Sequence, residues 1–220
     1  MSTRTNPERA IKKLRKKLKW SVRHETSSTG DLHIASDPGR REHVIYWPGP
    51  DSRIGPPRPI EHLHELYHAW LAENVHHQFS AQRFKPGTPD EVVALMVPVC
   101  RAASDWFVDE LLCSLMPQEF RAEVREHLDY ILSLPRTNSA FLLFSAGLII
   151  AQAKRYLNLE VQVAGDLPRI VETFLAVEPS PPTVGKLAEL VNRLLIGYAN
   201  WQVRLVHDGI LEVWQVEEQS

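Results

Sequence analysis

The chain has 220 residues, 44% of them hydrophobic and 24% charged, an ordinary globular composition that excludes collagenous, low-complexity and disordered classes. Its two cysteines, Cys100 and Cys113, have no CxxC pairing and do not form a disulfide framework. The net charge of −2 hides an asymmetry, because residues 1–23 hold nine Lys/Arg and one acid while the remainder holds sixteen and twenty-six.

The N-terminus is polar and basic from Ser2 to Lys19 and lacks an apolar signal core, which with the unpaired cysteines leads us to expect a cytoplasmic protein. Residues 6–20 read as a helix, with Asn6 as N-cap and Pro7 at the first helical position. Ile11, Leu14 and Leu18 give it an apolar stripe that can dock on a core. Its Lys12, Lys13, Arg15, Lys16, Lys17 and Lys19 form a solvated face, or contact nucleic-acid phosphates. Two strands are expected at Asp31–Ala35 and His43–Trp47, across the turn Ser36-Asp37-Pro38-Gly39. A loop rich in proline and glycine covers 48–59.

From Ile60 to His76 the pattern is helical, with Leu63, Leu66/Tyr67, Trp70/Leu71 and Val75 at helical spacing. After a loop over 83–90 a helix starts and is expected to kink or end at Pro98; a new run covers 99–115. Further helices are expected over 118–133, 138–157, 167–177 and 183–200. The apolar run Ala140–Ala151 is too short to span a bilayer and reads as a core helix. Near the end, Asp208-Gly209 either caps a long helix or turns a hairpin between 202–207 and 210–215.

The chemically informative stretch is His64-Glu65-Leu66-Tyr67-His68, an HExxH sequence inside a predicted helix. Residues four apart on a helix differ by about 40° in direction and about 6 Å in rise, so both imidazoles face one point. That suits two nitrogen ligands on one Zn²⁺, with Glu65 beside the first as general base. A site of the HExxHxxGxxH type is excluded, since Leu71 and Asn74 occupy the positions that would need glycine and histidine. The third ligand is then an acid from a later helix. Asp105 and Asp109, four apart in an otherwise apolar stretch, are the candidates. Asp105 is the favoured ligand and Asp109 the acceptor that fixes a histidine tautomer, with the reverse assignment open.

These two stretches, His64-Glu65-Leu66-Tyr67-His68 and Trp106-Phe107-Val108-Asp109-Glu110-Leu111-Leu112-Cys113-Ser114-Leu115-Met116-Pro117, resemble the ImmA/IrrE family of zinc metallopeptidases. The resemblance covers about residues 30–117. It implies a gluzincin-like core, a carboxylate ligand on the helix after HExxH, and cleavage of a regulatory protein such as a transcriptional repressor. The family's acidic ligand aligns near Ala103, two residues before Asp105.

The expectation is an α+β chain with a basic amphipathic helix at 1–24, a zincin-like core at 25–118 and a helical region at 119–220. The expected activity is zinc-dependent hydrolysis of a peptide bond, with His64, His68 and Asp105 holding the metal, Glu65 catalytic and Asp109 supporting. The alternative is a non-catalytic regulatory or nucleic-acid-associated binding protein on the same scaffold. His127, Tyr130, Tyr156, Tyr198 and His207 are residues of the type that stabilises an oxyanion.

Overall fold

A computed structural model describes residues 6–28, 30–50, 56–134 and 139–219. Helix α1 (Pro7–Arg15) starts where its signals place it, with Asn6 Oδ1 accepting the Arg9 amide at 3.2 Å. It stops five residues short of the expected end, and its Ala10, Ile11 and Leu14 are buried. The chain then enters a strand that the sequence reading assigned partly to the basic helix, β1 (Ser21–Thr26). Most of this strand is exposed, so it lacks the apolar alternation that marks a half-buried strand. What makes it a strand is parallel pairing to β3 (Glu42–Trp47), from Ser21 opposite Glu42 to Thr26 opposite Trp47. Strand β2 (His33–Asp37) lies two residues later than expected and pairs antiparallel to the other side of β3. The sheet order is therefore β1-β3-β2.

Helix α2 (Pro59–Asn74) carries the HExxH sequence and buries Leu63, Leu66, Ala69 and Leu71. A polar network ties it to the sheet: Glu73 Oε1 is 2.8 Å from His43 Nε2 and accepts the Trp20 amide at 2.8 Å, while Ser36 Oγ is 2.7 Å from His43 Nδ1. A 3₁₀ turn, His77–Phe79, follows.

Helix α3 (Asp90–Leu115) runs through Pro98 without interruption, which corrects the expected break. A proline inside a helix costs about 3 kcal/mol. Here Val92, Met96, Val99 and Cys100 are buried around it, and Ala103, Phe107 and Leu112 further along, so tertiary packing outweighs the missing backbone hydrogen bond. Helices α4 (Pro117–Ser133), α5 (Ala140–Leu157), α6 (Leu167–Ala176) and α7 (Val184–Leu195) follow. At 18 residues α5 is longer than the apolar run suggested and is the one helix among the described residues long and apolar enough to cross a membrane. It packs against α3, α4 and α6, burying Phe144, Leu148, Ile150 and Ala151.

The chain ends in a hairpin, β4 (Trp201–Asp208) and β5 (Leu211–Glu218), which decides the ambiguous tail and shows that 119–220 is not helical throughout. Gly209 at φ 61° supplies the turn. The hairpin is clamped at Val203, whose N–H and C=O both bond the side chain of Asn192 on α7. It also reaches back to the segment after α2: the Trp214 amide donates to Arg83 O and its carbonyl accepts the Lys85 amide, both at 2.8 Å. The architecture is α+β, and one cluster of buried apolar side chains extends from Ala10 to Trp214.

Candidate metal centre

Helix α2 is started by Pro59 at its first position and by Glu61, whose carboxylate accepts the Arg58 amide at 2.8 Å and Arg58 Nε at 2.9 Å. One apolar stripe faces the core, and the turn carrying His64, Glu65 and His68 faces α3. From α3, Asp105 and Asp109 meet this turn, one helical turn apart.

The hydrogen bonds fix which nitrogens carry protons. His68 Nδ1 lies 2.5 Å from the carbonyl oxygen of Phe79, which can only accept, so Nδ1 carries the hydrogen. His64 Nδ1 lies 2.9 Å from Asp109 Oδ1, and the other oxygen of Asp109 accepts Gln152 Nε2 at 2.5 Å. Asp109 is thus an acceptor with both oxygens engaged, and His64 also donates through Nδ1. In the neutral imidazoles both Nε2 lone pairs then point inward. The two Nε2 atoms are 3.0 Å apart, and Asp105 Oδ1 lies 3.1 Å from that of His68 and 3.6 Å from that of His64. With both imidazoles neutral, three acceptors converge with no donor among them, so the point calls for a positive charge, either a metal ion or a further proton on an imidazole.

The donor set fits a metal. Ligand atoms about 2.1 Å from a tetrahedral zinc lie roughly 3.4 Å from one another, close to the three separations found. His64, His68 and Asp105 form a group that could hold a metal ion, the one such group among the described residues. Burial disfavours the charged form of His64, but Asp109 and Asp105 carry its pKa well above the ordinary histidine value. Burial also works against the charge on Asp105, yet His64 and His68, once protonated at Nε2, hold it far below the usual carboxylate range through hydrogen bonds and charge. Both shifts have the same cause, the attraction between the imidazoles and the carboxylates that face them.

Glu65 is aimed by the sheet. Its Oε2 accepts the amide of Ile34, on edge strand β2, at 2.8 Å. Burial raises its pKa, and His68 and His64 oppose that rise. Two cavities share His64, Glu65 and Asp105 in their walls. The larger, about 360 Å³, extends toward α4 and includes Asp109, Glu123 and His127. The smaller, about 250 Å³, includes His68, Ser80 and Arg101. The two cavities therefore meet at the candidate metal group.

The remaining sequence candidates separate clearly. His127 lines the larger cavity. Tyr130 is 61% exposed, the Tyr156 hydroxyl donates to Glu110 Oε2 at 2.7 Å, Tyr198 lines a third cavity, and His207 is exposed on the hairpin. Cys100 is buried, which pushes its thiol up to about 12, and it takes no part in the metal group. Sequence reasoning missed Gln152, the Phe79 carbonyl, the Ile34 amide and Glu123. Only Gln152 left a signal, as an amide on an otherwise apolar stretch of α5.

Comparison with family models, with curated proteins and with solved structures found no match to this chain.

Proposed function

We propose that the chain is a zinc-dependent peptidase. The observation that carries this reading is the convergence of His64 Nε2, His68 Nε2 and Asp105 Oδ1 with both histidine Nδ1 atoms already committed as donors. His64, His68 and Asp105 would hold the ion, and Asp109 would orient His64 with Gln152 behind it. A zinc ion there supplies Lewis-acid polarisation of a carbonyl. Glu65, held by the Ile34 amide, takes a proton from the attacking water and returns it to the leaving amine; its raised pKa suits that exchange. The two cavities that meet at the metal group suit a peptide lying across it.

The reading extends to a zincin-like core built of the three-stranded sheet, α2 and α3, to the ImmA/IrrE-type resemblance with a regulatory protein as substrate, and to the cytoplasm as the site of action, in keeping with two unpaired cysteines. A second reading, a nucleic-acid-associated binding protein, is favoured by the exposed Lys12 and Lys13 of α1 and by Lys16 and Lys17 in the turn that follows it.

The test is a graded metal and activity series. Wild type is expected to hold about one zinc per chain by elemental analysis, and His64→Ala and Asp105→Ala none. Asp109→Ala is expected to weaken zinc affinity by about 10–100-fold. Glu65→Gln is expected to keep zinc but lose about 10²–10⁴-fold in hydrolysis of a mixed peptide library. A wild type that takes up no zinc, or a Glu65→Gln variant that cleaves at the wild-type rate, would end the peptidase reading.

A further inference from the structure

The two cavities differ in charge. The smaller cavity has Arg101 in its wall. The larger is walled by Asp31, Glu61, Glu65, Asp105, Asp109 and Glu123 and, among the described residues, by no lysine or arginine. Most of these carboxylates are engaged. Asp105 faces the histidines, Asp109 bonds His64 and Gln152, Glu65 bonds Ile34, and Glu61 bonds Arg58.

Glu123, on α4, is different. Its Oε1 receives one long contact from Arg58 Nη2, at 3.3 Å, and its Oε2 is buried with no hydrogen-bond partner among the described residues. Arg58 is meanwhile held more closely by Glu61 and Glu126, at 2.9 and 2.7 Å. The Glu123 side chain retains 13% of its surface and lines the cleft. A buried carboxylate oxygen without a donor is costly, and a cation in the cleft, beside the part of the side chain that lines it, would offset that cost. Next to it Phe120, Val124 and Leu148 form an apolar wall of the same cavity. An apolar wall ending at a carboxylate matches a side chain with an aliphatic stem and a cationic head.

We propose that the larger cavity is a specificity pocket for a lysine or arginine side chain of the substrate, its stem against Phe120, Val124 and Leu148 and its cation at Glu123. The identification of the ligand as a peptide rests on the peptidase reading; the preference for a cation rests on the cavity itself.

The test separates the two. Fluorescein-labelled alanine-based pentapeptides carrying a central lysine, arginine, norleucine or glutamate are titrated by anisotropy against the zinc-loaded full chain in a Glu65→Gln background. Cleavage of the same peptides is followed with Glu65 intact. The lysine and arginine peptides are expected to bind at least about tenfold tighter than the norleucine peptide. Glu123→Gln should shrink that ratio to about twofold, and Glu123→Asp should keep most of it. Equal affinity for lysine and norleucine peptides, a preference that survives Glu123→Gln, or no binding by any peptide would overturn the pocket. Preference in binding without cleavage would uphold the pocket and reject the peptidase reading; cleavage without preference would do the reverse.

Discussion

Glu123 has a second consequence, for stability. Burial pushes its carboxyl up to about 7, with Arg58 and His64 pulling it down and Asp109 and Glu61 adding to the rise. A carboxyl with a folded-state pKa above its unfolded value stabilises the fold below the unfolded value, and that contribution is lost as pH rises through the folded one. The window here runs from about 4.5 to about 7. The loss amounts to at most about 3 kcal/mol. Glu123→Gln removes the titration, so its melting temperature relative to wild type should rise between pH 5 and pH 8. Thermal melts at the two values check this, and an unchanged difference would show that Glu123 does not titrate in the window. At this scale the sequence was most legible. His64, Glu65 and His68 share a helix face because the helical period is local, and Asp105 and Asp109 were picked out as acids in an apolar stretch. Gln152 and the Phe79 carbonyl were not legible as their partners, since their roles depend on how α5 and the 3₁₀ turn dock, which local spacing does not contain.

Among the elements, the errors share a cause. Strand β1 and the unbroken α3 both go against local propensity and are held by pairing or burial with distant segments. The long periodic helices α2, α4 and α5 were readable because an apolar face repeats over many turns, whereas α7, expected to reach 200, ends at Leu195 before the hairpin begins. Gly147 on α5 tests the packing between helices. A Cβ built there would lie 2.3 Å from Cγ2 of Ile170 on α6, with Phe174 also near. In a free helix alanine would gain about 1 kcal/mol over glycine. Here the overlap should dominate, and Gly147→Ala is expected to lower stability by about 1–3 kcal/mol. Urea unfolding measures it, and a stabilised variant would mean that α5 and α6 lie further apart than described.

For the molecule as a whole, the C-terminal hairpin and the metal region belong to one construction. Trp214 is fully buried and its backbone pairs with Arg83 and Lys85; Gln78 donates to Arg83 O and Glu212 O; His76 Nε2 is 3.1 Å from Glu212 Oε2. This holds the 3₁₀ turn whose Phe79 carbonyl fixes His68. Trp214→Ala is expected to cost about 3–5 kcal/mol. Hydrogen exchange should quicken at Lys85 and at the 77–79 turn, with a matching fall in zinc affinity if the proposed site holds zinc. Unchanged exchange there would uncouple the hairpin from the site.

That clasp also sets an order of assembly in time. Gln78 and Glu212 are 134 residues apart in the chain. At a synthesis rate of about 5–20 residues per second, α2 leaves the ribosome roughly ten seconds before the strand that secures the turn behind it. His64 and His68 are therefore made early and locked late, and a nascent chain carries both histidines well before it can hold His68 in its final tautomer.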